Sequence, residues 1–173
     1  MFFWYIIYIM LKKTFILYTR NFIFGSEDSL VSTVGLLAGI ASAGIGRKEI
    51  IISGIVLICV EAFSMSVGSF LSERETEESS SGYIQKNSNS VVASIIMLVS
   101  YIICGFIPLS PYFFMETNQA FWWSIIASIA FLFVLGFISA KILKIKVLRS
   151  ALRMTIMGGM AIGLGVIVGL IMK

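Results

Sequence analysis

Histidine is absent from all 173 residues of this chain. That absence removes imidazole metal sites, imidazole proton relays and every catalytic arrangement built on a histidine base. Cysteine is nearly missing too. Cys59 and Cys104 both fall in long apolar runs, where a small side chain packs and neither a disulfide nor a metal role is expected. Charge is scarce: 13% of residues are Asp, Glu, Lys or Arg, against about 25% in soluble domains. No nucleophile–base pair, phosphate loop or cofactor motif occurs, so an enzyme is not expected, nor any permanently bound cofactor.

Apolar sequence fills the space, at 58% of residues, which places the chain in the integral membrane class as one domain. A span needs about 20 mostly apolar residues to cross the hydrocarbon core. Five runs qualify: Phe22 to Ile45, Ile50 to Leu71, Val91 to Leu109, Gln119 to Ala140, and Ala151 to Met172. The expected fold is an all-α, five-span membrane domain over residues 21–173, interrupted by a polar linker over residues 72–90. Met1 to Leu11 is intensely apolar but too short to cross. Residues 1–20 therefore read as an interfacial amphipathic segment, with Phe2, Phe3, Trp4, Tyr5 and Tyr8 at headgroup level.

Basic residues set the orientation. With the N-terminus in the cytoplasm, Lys12, Lys13, Arg20, Arg74, Lys86, Lys141, Lys144, Lys146, Arg149 and Arg153 lie inside, and only Arg47, Lys48 and Lys173 lie outside. The positive-inside rule selects this arrangement. It also accounts for the net charge of +4 without a nucleic-acid partner. The outer connections are then a Gly46-Arg47-Lys48-Glu49 turn and a Pro108–Pro111 segment, with Trp122 and Trp123 at the outer interface.

Against this background three carboxylates stand out, because Glu27, Asp28 and Glu61 lie within apolar spans. A charge at the bilayer centre costs about 2.5–3.5 kcal/mol on insertion scales, so such residues face a protein interior or a wet path and mark ion routes. Asp28 lies about two turns inside the first span. Glu61, Met65 and Gly68 share one face of the second span at i, i+4, i+7, and Asp28, Ser32, Gly35 and Gly39 share one face of the first. If these stripes meet, they enclose carboxylate, hydroxyl and thioether groups. Oxygen ligands suit Mn²⁺, Fe²⁺ and Mg²⁺, and a thioether tilts the choice toward the softer transition ions. Glu27 reads either as a proton-coupling acid or as a headgroup-level partner of Arg20. Gly35/Gly39, Gly159/Gly163 and Gly165/Gly169 carry the small-xxx-small spacing that lets helices approach closely, within a protomer or across a dimer.

The stretch Phe24-Gly25-Ser26-Glu27-Asp28-Ser29-Leu30-Val31-Ser32-Thr33, followed by Gly35 and Ala38-Gly39, resembles the first-span signature of the vacuolar iron transporter family. Glu61-Ala62-Phe63-Ser64-Met65-Ser66-Val67-Gly68 resembles its second-span signature. The resemblance implies a homodimer in the lipid bilayer that exports Fe²⁺, often also Mn²⁺, from the cytosol against protons, through a path between protomers. It places the pore aspartate on Asp28 and the pore methionine on Met65. Glu61 would then be a second metal ligand or the proton-linked group. The sequence departs from the family at three points: Ser29 stands for a glycine, Ser69 for a glutamate, and residues 72–90 replace long cytoplasmic metal-binding helices. Glu73, Glu75, Glu77 and Glu78 fall in that short region and are candidates for cytoplasmic metal capture. A multi-pass protein of a prokaryotic cell membrane, rather than a vacuolar one, is the expected setting. Two other readings share these features: a small proton-coupled exporter of organic cations using Glu61, and a non-transporting assembly or scaffold protein.

Overall fold

The computed structural model describes the backbone of residues 2–81 and 89–173, and the side chains of residues 14–76, 79 and 89–173. Among the described residues there are six helices and no strand. They are α1 (Phe2–Ser42), α2 (Arg47–Ser81), α3 (Asn89–Leu109), the single turn α4 (Pro111–Phe114), α5 (Thr117–Leu143) and α6 (Val147–Ile171). Five stretches are long and apolar enough to cross a membrane: Thr14–Ser42, Arg47–Thr76, Asn89–Leu109, Thr117–Leu143 and Val147–Ile171. The all-α five-span expectation therefore stands.

The ends differ from the sequence reading in instructive ways. α1 stops at Ser42 rather than running to Ile45, because Gly44 takes a left-handed conformation (φ 78°) that turns the chain. The connection then falls on residues 43–46, and Arg47 already belongs to α2. At its other end α2 continues through Ser81, ten residues past Leu71, so half of the expected linker is helix. Glu and Arg are good helix formers, and Thr76 Oγ1 bonds the Ser72 carbonyl one turn back at 2.8 Å. α1 itself runs unbroken from Phe2, about 60 Å at 1.5 Å per residue, twice the hydrocarbon thickness. The interfacial reading of residues 1–20 rests mainly on residues 1–13, whose side chains lie outside the described ones.

α1 is the central rod. It packs chiefly against α3 and α6, with α5 and α2 completing its surround. Leu30, Val34, Leu37 and Ala38 are all but inaccessible. Leu30 meets Leu132 and Met154, and Val34 and Ala38 meet Ile162. At the Gly44 end, Leu37, Ile50, Ile58, Leu109, Tyr112 and Ala120 form one cluster. Most of the outward face of the other helices is Ile, Val, Leu and Phe, as lipid requires.

Close approach between α1 and α6 depends on glycine. A Cβ on Gly39 would come within 2.9 Å of the Gly165 carbonyl oxygen, and one on Gly165 or Gly169 would fall on the Gly35 or Gly39 carbonyl. Gly35/Gly39 and Gly165/Gly169 thus face each other inside one protomer, whereas Gly159 and Gly163 face open space.

At the Gly44 end, Arg47 Nε donates to the Tyr112 carbonyl at 2.6 Å and its Nη2 donates to the Phe113 carbonyl. These are end carbonyls of the α4 turn that lack helical partners. Ser124 Oγ likewise bonds the Pro108 carbonyl at 2.7 Å. Burial pushes the Tyr112 phenol up to about 12, so it stays neutral at physiological pH. Arg47→Ala should lower stability by about 1 kcal/mol, since charge-assisted bonds contribute up to about 3 and water can partly replace them here. A lower thermal midpoint in detergent checks this, and Arg47→Lys should restore only part of it.

Candidate functional site

Asp28 on α1 and Glu61 on α2 are both half-buried, and they lie close enough for their charges to repel. Helix periodicity brings them together: Asp28 occupies the stripe of α1 that includes Ser32, and Glu61 faces inward while its neighbours Val60 and Phe63 face out. α3 closes the third side. Tyr101 is fully buried, its hydroxyl lies 2.8 Å from Ser32 Oγ, and it sits in the field of both carboxylates. Ser29 Oγ donates to the Tyr101 carbonyl at 2.5 Å, which fixes this part of α3 against α1. Gly105 one turn later leaves room for that serine, since a Cβ there would come within 2.8 Å of Ser29 Oγ. The first departure from the family pattern is thereby accommodated.

Two carboxylates held this close at mid-membrane repel each other, and a cation between them relieves both the repulsion and the desolvation. Among the described residues no three Asp, Glu or Cys side chains gather closely enough to hold a metal ion alone. Further ligands must come from hydroxyls, a thioether, water or another chain.

Met65 sits one turn along α2 from Glu61 and lines a cavity of about 690 Å³ that opens toward the Arg20 end of the bundle. Asn21, Phe24, Ser64, Ser69 and Met97 share its wall, while Asp28 and Glu61 are not among its lining residues. Gly68, on the same stripe, has open space before it. The sequence-marked residues are thus split between a carboxylate pair and a thioether-lined vestibule. Ser69 Oγ donates to Asn21 Oδ1 at 2.5 Å, tying α2 to α1 at the cavity wall, so the serine that replaces the family's glutamate has a structural partner.

At the cavity mouth Arg20 pairs with Glu73. The expected Glu27–Arg20 pairing does not form, because the ten extra residues of α2 carry Glu73 up to Arg20 first. Glu27 instead faces α6, in the field of Arg153. One step of an α-helix rotates a side chain by about 100°, so adjacent acids see different neighbours. Of the candidate capture residues, Glu75 is exposed and Glu77 and Glu78 have side chains outside the described ones. Asp28 lies beside Glu61 of α2, but Ser32 meets Tyr101 of α3, and farther along α1 Gly35 and Gly39 meet α6, not α2. The two cysteines stay unpaired, Cys104 packed beside Leu30 and Cys59 facing outward.

Tyr101 escaped sequence reasoning. A tyrosine in mid-span, away from the interfaces where its polar tip is normally satisfied, was the available signal. Asn21, the amide near the start of the first membrane span, offered a similar one.

A model of the VIT family matches residues 19–90 and 80–170. An uncharacterized protein of Methanocaldococcus jannaschii is 26% identical over 164 residues, covering 84% of this chain and 85% of that protein. Vacuolar iron transporter homolog 3 of Arabidopsis thaliana is 24% identical over 156 residues, covering 84% of this chain and 78% of its own. The matches take in all five membrane-length helices together with Asp28, Glu61, Met65 and Tyr101, so the resemblance seen in the first two spans extends through the last. On that footing this chain belongs to the VIT family and is a multi-pass membrane transporter, of metal in the general sense.

Proposed function

We propose that this protein moves a divalent transition metal, Fe²⁺ or Mn²⁺ or both, out of the cytosol in exchange for protons, and that it works as a homodimer. The observation that carries the reading is the Asp28–Glu61 pair, two acids from different helices facing each other deep in an apolar bundle. Such a pair is costly in an apolar bundle, and a visiting cation or proton would offset that cost. Met65 and the vestibule would form the approach, entered past Arg20 and Glu73 from the cytosolic side that the basic-residue bias assigns to that end. As metal leaves, Glu61 and Glu27 would take up protons. A second copy would supply the ligands that one protomer lacks.

An organic-cation exporter would need an aromatic cage, yet Phe24 is the one aromatic among the vestibule's described lining residues. That argues for a metal ion. Uptake of Fe²⁺ and Mn²⁺ into inverted vesicles, with a pH indicator on the same sample, tests the proposal. Metal accumulation accompanied by proton release from the lumen is the expected result. Uptake of organic cations without metal would replace the reading, and absence of any flux would leave the scaffold alternative standing.

A further inference from the structure

The turn between α5 and α6 holds a feature that metal transport does not use. Lys144, Lys146, Arg149 and Arg153 line one cavity of about 420 Å³, with Ile145 and Ser150 completing its described wall. Four cations around one hollow repel one another, and among the described residues none of them forms an ion pair. Arg153 lies in the field of Glu27.

Three further observations point to a bound anion. Ser150 is only 3% exposed, yet it lines the cavity, and its hydroxyl makes no hydrogen bond among the described residues. The first turn of α6 has no acidic residue and its N-cap, Lys146, makes no side-chain capping bond, so that turn's amides and dipole add to the positive field. The turn is also rigidly set: Lys144 is held in the left-handed region (φ 55°), with its amide and that of Ile145 both on the Ala140 carbonyl.

Position says which anion. The turn joins two membrane-length helices ending at Leu143 and starting at Val147, so it lies at the edge of the bilayer. Leu143, Ile145 and Leu148 project from it, Leu148 at 67% exposure. A free anion has no use for these apolar groups, whereas acyl chains do. We propose that this cavity is a binding site for the phosphate headgroup of an anionic phospholipid, with Lys144, Lys146, Arg149 and Arg153 as its charge cradle and Ser150 as a hydrogen-bond donor. Basic pockets between membrane helices recognise acidic headgroups by the same combination of charge and depth.

The test uses the purified full chain, stripped of lipid in detergent and titrated with phosphatidylglycerol or phosphatidylcholine under native mass spectrometry. Phosphatidylglycerol should occupy the protein about tenfold more tightly than phosphatidylcholine, and the Lys146→Gln/Arg149→Gln variant should lose about that factor. Both substituted residues are exposed, so the variant should keep the fold, with an unchanged elution profile as the check. Equal binding of the two lipids, or an unchanged variant, overturns the proposal. So does displacement of phosphatidylglycerol by millimolar inorganic phosphate, which would make this a free-anion site. The wild-type comparison decides the matter even without the variant, and it is independent of whether any metal is transported.

Discussion

Asp28→Ala should cut metal flux by a factor of about 30 or more, while leaving the protein folded and inserted. Removing one partner of a desolvated charge contact costs about 2–5 kcal/mol, and each 1.4 kcal/mol is tenfold in affinity. The same substitution removes an expensive charge from the membrane, where burial costs about 2.5–3.5 kcal/mol, and relieves repulsion with Glu61. Thermal stability in detergent should therefore hold or rise as flux falls. A residue kept for packing gives the opposite pairing, with stability lost first. Asp28→Asn preserves shape and should still lose flux, because charge is what the cation needs. Glu61→Gln should have a milder effect, since Asp28 remains. Retained flux in Asp28→Asn, measured in the same vesicles as wild type, would remove the basis of the proposed function.

α2 leans on α3 more than on α1. α2 contacts α1 less than α3 and α6 do, and its Gly68 face is open. On the proposed reading α2 carries half of an ion site and lets a hydrated cation past, which packing as tight as that of α6, whose glycines bring it against the α1 backbone, would hinder. α6 and α3 hold α1, which carries Asp28, while α2 brings Met65 to the wall of the vestibule and Glu61, one turn away, beside Asp28.

Much of this was legible from residue types alone. A carboxylate in an apolar run is conspicuous because lipid forbids it, so Asp28 and Glu61 could be named from the sequence, and five spans follow from hydropathy. What hydropathy does not carry is rotation about a helix axis. Nothing in the spacing of Gly35 and Gly39 says whether they meet α2, α6 or another copy, and the answer came only with the Ala161, Gly165 and Gly169 contacts. Tyr101 was hidden for a related reason: its ring is as apolar as its neighbours, and only its tertiary setting reveals that the hydroxyl meets Ser32. The Arg20–Glu73 pair depended on α2 outrunning its apolar segment, which propensity rather than hydropathy governs.

Glycine to alanine substitutions in α6 should change sign along a single helix. In open surroundings Gly→Ala stabilises a helix by up to about 1 kcal/mol, because alanine restricts the unfolded chain and favours helix. Gly159 and Gly163 have such surroundings, so each alanine there should be neutral or stabilising in the monomer. At Gly165 and Gly169 the new methyl would land on a carbonyl oxygen of α1, backbone that cannot swing aside as a side chain can. Overpacking of this kind costs about 1–3 kcal/mol per site, so the Gly165→Ala/Gly169→Ala double variant should lose several kcal/mol. At about 2–4 °C per kcal/mol for a chain of this size, its thermal midpoint should fall by about 10 °C or more. The same loss should abolish flux indirectly, because α1 carries Asp28. Gly163→Ala serves as the control for the proposed dimer. If it leaves the monomer stable but weakens self-association, the open glycines of α6 form the seam between protomers; if association is unchanged, the seam lies elsewhere, and the exposed Gly68 face of α2 becomes the surface to substitute next. Equal destabilisation at Gly163 and Gly165 would mean that the α1–α6 approach is not what these glycines serve.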